Sequence, residues 1–158
     1  MKKFIVVIIF CTLFMVFCTN KYSGRDTTEI LSLISKIENN PIDTTRDIRI
    51  DNNRKLFNFT VKPGVFIVIS DSLTPWLTKI KNQGWQGVIL SAFLAGCIKN
   101  AVKGENIKEN NYYGTLEVFK VYQRIRAIDS SFVSPEIEGQ MLKERQNTLK
   151  KFIHENLE

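Results

Sequence analysis

The chain has 158 residues, a formal net charge of +6 and one histidine. This length fits one ordinary domain with its own hydrophobic core. Basic and acidic residues alternate, for example between Asp43 and Arg54. The sequence therefore lacks the basic stripe of a nucleic-acid-binding protein, and we expect no nucleic-acid partner.

The first 18 residues have the anatomy of an export signal. Lys2 and Lys3 precede an uncharged apolar run from Phe4 to Cys18, and a basic start followed by an apolar segment is typical of a signal peptide. As a helix this run would span about 22 Å, less than the ~30 Å hydrocarbon core of a bilayer. The chain is therefore predicted to divide into an export signal at 1–18, a tether at 19–24 and a single helix-rich domain at 25–158.

The end of the apolar run resembles the processing site of bacterial lipoproteins. Met15 takes the apolar position of that site and Cys18 takes the position of the lipidated cysteine, whereas Phe17 stands where these signals carry a small residue. The resemblance implies a protein anchored to a membrane by a lipid on Cys18. Two alternatives stay open: a secretory cut after Cys18, which would release the domain, and an uncleaved membrane anchor.

The domain begins with a predicted helix. Asp26 and Glu29, three residues apart, form a capping-box pattern, and apolar residues follow at helical spacing. We expect the helix to run from about Thr27 to Glu38 and to end before Pro41, because the residue before a proline avoids the helical conformation.

Residues 41–72 are ambiguous. Apolar and polar residues alternate in places, and Val65 to Ser70 form a short β-branched run. This pattern favours a short β-hairpin near 47–70. A short buried helix leading to Leu73 is the alternative, because periodicity does not separate helix from strand over so few residues.

A long, apolar helix is predicted at the centre of the domain. Residues 88–98 are apolar nearly all round, as expected for a buried helix, and they are too few to cross a bilayer. We predict a mainly α, single-domain helical bundle around a buried central helix at 86–103. Small residues at four-residue spacing would let another backbone come close to this helix; they include Gly87, Ser91, Ala95, Ala92 and Gly96.

Two further helices are predicted after the central one. A polar linker is predicted from Glu105 to Gly114. Its last two residues overlap the start of a helix with one apolar face, predicted from about Tyr113 to Ile128. Ser134 and Pro135 are typical of a helix start. The last helix has a thin apolar stripe, which indicates a peripheral position.

Residues able to carry out catalysis or bind metal are few. His154 lies near the C-terminus among charged residues, which nearly excludes zinc. Asp43, Asp47 and Asp51 recur every four residues, but they lack the glycine and the final glutamate of a calcium-binding loop. Cys97 has small and apolar neighbours and is expected to be buried. No phosphate-binding loop or nucleophile motif occurs, so we expect no cofactor and no metal, and we lean against an enzyme.

The remaining candidates for a binding site are aromatic. Trp85 flanks the start of the central helix, and Tyr112 with Tyr113 precede the next one. If exposed together at one end of the bundle, these side chains would form a platform for a protein or glycan partner. If buried, they would cap the core.

These features predict a cell-envelope protein, lipid-anchored on the periplasmic side or at the cell surface, or alternatively secreted. Its expected role is a non-catalytic binding or assembly module at a membrane. The alternatives are a small hydrolase of envelope polymer and a docking subunit that exposes Ser91 and Ala95. A two-carboxylate hydrolase stays open because it needs only two acids facing a cleft.

Overall fold

The computed structural model describes residues 24–40, 46–62 and 65–157. Within these ranges the chain forms seven α-helices and one 3-10 turn, and no strand. The helices are α1 (Gly24–Asn39), α2 (Arg46–Thr60), α3 (Trp76–Lys79), α4 (Gln83–Val102), α5 (Asn110–Ile128), α6 (Pro135–Arg145) and α7 (Leu149–Glu155); the 3-10 turn is Ile107–Glu109. The prediction of a mainly helical domain is confirmed.

Helix α4 is the centre of the bundle, as predicted. The side chain of Asn82 caps its start by accepting hydrogen bonds from the backbone N–H groups of Gly84 and Trp85. Twelve of its 20 residues are buried, because α5 and α2 cover most of its surface. Burial on nearly every side explains why its sequence shows no polar stripe.

The same helix is long and apolar enough to cross a membrane, judged by length and composition alone. It is the one such helix in the described ranges, and 67% of that stretch is buried by the rest of the domain. Contact with protein on most sides is the environment of a core helix, in agreement with the sequence prediction.

Helices α4 and α5 pass each other with their backbones in contact. A Cβ atom on Gly96 would lie 2.6 Å from the carbonyl oxygen of Tyr113, and a Cβ atom on Gly114 would lie 2.5 Å from the Sγ of Cys97. Only glycine leaves room for the other helix at either position. The small-residue pattern of α4 predicted such an approach. The predicted end of the linker at Gly114 is wrong, because α5 begins four residues earlier, at Asn110.

The predicted hairpin near 47–70 is wrong for the described residues. Arg46–Thr60 is helix α2, and residues 65–70 are neither helix nor strand. These residues pair instead with side chains at the start of α5. Asn111 accepts a hydrogen bond from the N–H of Val68 at 3.0 Å and donates one to its carbonyl at 2.6 Å. Asn110 donates to the carbonyl of Phe66 at 2.9 Å.

The C-terminal region consists of two helices rather than one. Asn147 has a φ of 56°, a left-handed conformation that asparagine tolerates better than most residues and that interrupts a helix. The chain turns here and brings Leu149 and Ile153 of α7 into the core, where both are fully buried. The prediction of a single peripheral last helix is therefore wrong.

We predict that Gly114→Ala lowers the free energy of unfolding by about 1–3 kcal/mol, because the new methyl group overlaps Cys97 and Phe93. Gly139→Ala on α6 is the matched control, since its methyl group would meet no described atom within 4 Å. That variant should gain about 0.5–1 kcal/mol from helix propensity. Urea unfolding followed by circular dichroism measures both. Equal effects of the two substitutions would contradict the close helix crossing.

Candidate functional site

The structure separates the aromatic residues that were predicted to share one end of the bundle. Helices α4 and α5 are antiparallel: Trp85 at the start of α4 donates its indole N–H to Asp129 just after α5, at 3.1 Å. At the other end, Asn100 of α4 donates to Asn110 of α5 at 2.7 Å. Trp85 therefore lies at the opposite end of this helix pair from Tyr112 and Tyr113, and the predicted joint platform is wrong.

Each aromatic group packs within the domain. The Trp85 ring lies 6.1 Å from that of Phe132, and the rings of Tyr112 and Tyr113 lie 5.5 Å apart, edge to face. The Tyr112 hydroxyl donates to Glu144 of α6 at 3.0 Å. All three predicted residues are partly buried, and Trp85 and Tyr112 connect neighbouring elements of the bundle.

A cavity of about 680 Å³ lies between α1 and α2. We call it the α1–α2 groove. Its apolar surface comes from Ile30, Leu33 and Phe59, and polar and charged side chains surround this surface. The polar and charged residues are Asp26, Thr28, Glu29, Ser32, Lys36, Lys55, Asn58 and Lys62. Sequence reasoning missed this groove because it had assigned one of its two walls, α2, to a hairpin.

Ion pairs order the charged residues of the groove. Lys62 pairs with Asp26 at 2.5 Å and joins the C-terminal end of α2 to the N-terminal end of α1. The Lys62 ammonium also lies 5.0 Å from the centre of the Phe59 ring, a favourable cation–π geometry. Lys55 pairs with Asp51 at 2.6 Å. Only the Lys62–Asp26 pair joins the two helices, because Lys55 and Asp51 both belong to α2.

A second, smaller cavity of about 270 Å³ lies beside the α4–α5 crossing. Lys99, Lys103, Lys120 and Tyr113 contribute to its walls. Asn100 also lines it, and the Oδ1 of Asn100 has no hydrogen-bond donor within the described chain. However, this oxygen is closed to solvent, so a ligand in the cavity would not reach it. The α1–α2 groove is therefore the stronger candidate for a binding site.

The described residues include the cysteine Cys97, Asp51 and other side chains of the types that take part in covalent or metal catalysis. Cys97 is fully buried, as predicted, and burial raises the pKa of its thiol, which keeps it protonated and unreactive. No group of three metal-ligating side chains occurs in the described ranges. Asp51 pairs with Lys55 and Arg54, and these hydrogen bonds, that of Lys55 first, lower the pKa of its carboxyl group. A general acid would need the opposite shift.

Several sequence-predicted positions are buried or lie outside the described residues. Ser91 and Ala95 are 4% and 0% exposed, so the small-residue face that a docking subunit would present is already covered. Asn53 of α2 covers part of it by accepting a hydrogen bond from Ser91 at 2.6 Å. Cys18 and Asp43 lie outside the described residues.

Searches of protein-family models, curated proteins and solved structures return no match to this chain. Functional inference therefore rests on its own residues and their geometry.

The phenol of Tyr112 should titrate late in the folded protein. Burial first, and then the hydrogen bond to Glu144, raise the pKa of Tyr112 from 10.0 to about 12. The neutral phenol is therefore favoured by folding, and its contribution to stability should be complete below pH 10.0 and be lost as the pH rises toward 12.

Tyrosinate absorbance measured against pH tests this expectation, with Tyr112→Phe identifying the component. Glu144→Gln should lower the pKa of Tyr112 only in part, because burial remains. If the component that disappears in Tyr112→Phe titrates at the ordinary pKa of tyrosine, this result would contradict the contact between α5 and α6.

Proposed function

We propose that this protein is an exported, lipid-anchored bacterial envelope protein whose helical domain is a non-catalytic binding or assembly module. The α1–α2 groove is its proposed binding site. The binding role is supported by the volume of this groove, about 680 Å³, which lies within the range of ligand-binding clefts.

The chemistry of the groove favours binding over catalysis. Among the described residues, no histidine or cysteine lines it. Its acidic residue Asp26 is held by Lys62, and Glu29 pairs with Arg25 at 3.0 Å. Both carboxylates therefore lie in ion pairs with basic side chains. No observation favours the alternative of an envelope-polymer hydrolase.

The groove suits a protein segment as its partner. An apolar floor flanked by charges of both signs can receive an apolar side chain whose neighbours carry charges, as amphipathic segments do. Glycan sites, in contrast, commonly present an exposed aromatic face, and the Phe59 ring in this groove is only 5% exposed. We therefore assign the groove to a protein partner within an envelope assembly.

The proposed anchor is close to this groove in the chain. Gly24, the first residue of α1, is six positions after Cys18, and six steps of extended chain span at most about 20 Å. A lipid on Cys18 would thus hold the N-terminal end of α1, and with it the Asp26–Lys62 end of the groove, near the membrane surface.

The anchor is tested by the intact mass of the mature protein purified from native membranes. We expect a diacyl or triacyl adduct on a chain that starts at Cys18, and we expect the adduct to be absent from Cys18→Ser. A soluble product cut after residue 18 would support secretion, and an unprocessed N-terminus would support an uncleaved anchor. Either result would contradict the lipoprotein assignment.

The groove is tested by the size of the full-length protein extracted from native membranes in a mild detergent. We expect an assembly heavier than the monomer, and we expect Leu33→Arg to release the monomer because arginine fills and charges the groove floor. Leu142→Arg is the matched control, since Leu142 lies on α6, outside the groove, and is 52% exposed. Circular dichroism checks that both variants fold.

Three outcomes would contradict the binding role. The first is an assembly that survives Leu33→Arg, and the second is a wild-type protein that is monomeric in these extracts. The third is the release of products from solubilised envelope polymer by the purified protein, detected by mass spectrometry, which would establish the hydrolase alternative.

A further inference from the structure

Helix α2 carries an apolar stripe that faces away from the bundle. Ile50, Phe57 and Val61 are 56%, 55% and 73% exposed. Their spacing of seven and four residues places them on one side of the helix and the turn that follows it. The opposite side of α2 buries Leu56 and Phe59 in the core. The helix is therefore apolar on two sides, and only one of them is covered in the described structure.

The stripe ends where the N-terminal segment joins the domain. Val61 adjoins Lys62, which pairs with Asp26 two residues after the start of α1. Since Cys18 is at most about 20 Å from Gly24 along the chain, the C-terminal half of α2 lies at the end of the domain that the proposed anchor would hold at the membrane.

Two more exposed apolar residues belong to the same end. The carbonyl of Phe66, which is itself 42% exposed, accepts a hydrogen bond from Asn110. Asn110 directly follows the 3-10 turn that contains Ile107, another exposed apolar residue. The backbone N–H of Val65 bonds to the carbonyl of Lys62 at 3.3 Å and connects this group to α2. We call Phe57, Val61, Phe66 and Ile107 the apolar end.

The charge around the apolar end matches an anionic lipid surface. Residues 48–62 contain four basic side chains and one acidic one. Lys103 and Lys108 are exposed in the segment between α4 and α5, which also carries Glu105 and Glu109, so the basic excess comes from α2 and Lys62. An apolar stripe flanked by basic side chains is the pattern of a helix that lies in the interface of a bilayer, and basic residues are attracted to anionic lipids.

We propose that the apolar end and the outer face of α2 dock on the anionic lipid surface of the membrane that holds the anchor. This inference rests on the proposed function, because the anchor brings this end of the domain to the bilayer. Docking would orient the domain with α2, and therefore one wall of the α1–α2 groove, along the lipid surface.

The test uses the full-length protein in vesicles that contain phosphatidylglycerol, with a polarity-sensitive fluorophore on Val61→Cys. Val133→Cys is the matched control: it is the same substitution at a position 52% exposed, next to Phe132, which packs on Trp85 at the start of α4. The protein without an added cysteine gives the background, and Cys97 is buried.

We expect a blue-shifted emission from position 61 and, with spin-labelled lipid, quenching about twofold or more above that at position 133, as for a side chain in the bilayer interface. Replacing phosphatidylglycerol by phosphatidylcholine should reduce the quenching. Equal quenching at both positions would overturn the inference. A blue shift without quenching by lipid would also overturn it and would assign the apolar end to contact between protein molecules.

The same measurement on Cys18→Ser, added to preformed vesicles, separates this inference from the proposed anchor. Quenching at position 61 in a protein whose mass shows no lipid would support docking and contradict the anchor. A lipidated protein without quenching at position 61 would support the anchor and contradict docking.

Discussion

The contact between α4 and α5 at Gly96 and Gly114 is the constraint on which the rest of the domain depends. Because glycine has no side chain, the two backbones come together at both positions. Cys97 and Phe93 lie beside Gly114. Gly96 lies in the C-terminal half of α4 and Gly114 near the start of α5, and the two helices run antiparallel to each other. Trp85 then reaches Asp129 at one end, and Asn100 reaches Asn110 at the other.

The amide side chains at the start of α5 use that arrangement to hold the segment before α3. Asn111 satisfies both backbone groups of Val68, as a neighbouring strand would, and Asn110 satisfies the carbonyl of Phe66. Buried backbone groups need partners, and here side chains of a helix supply them. The segment therefore needs no second strand, and α2 is free to pack on α4 as a helix.

The two surfaces that we propose for partner binding and lipid docking both involve α2, on different sides of its axis. One side forms the groove with α1, and another exposes Ile50, Phe57 and Val61. The Asp26–Lys62 pair lies where these surfaces meet the N-terminal end of the domain. An anchored domain with this geometry would have its partner site and its lipid-facing residues on one helix. Docking on lipid would then fix the orientation in which the groove meets its partner.

The helical class, the buried central helix and the burial of Cys97 follow from the amino-acid pattern alone, because a run of apolar residues on all sides of a helix is stable only inside a core. The pattern also predicted the close approach at Gly96 from the spacing of small residues. The conformation of residues 46–70 depends on long-range contacts: packing on α4 and hydrogen bonds to Asn110 and Asn111 outweigh the local β-branched pattern. Antiparallel packing of α4 and α5 likewise separates Trp85 from Tyr112. The α1–α2 groove forms because α1 and α2 pair through residues 36 positions apart. Such long-range contacts leave no local signal in the sequence.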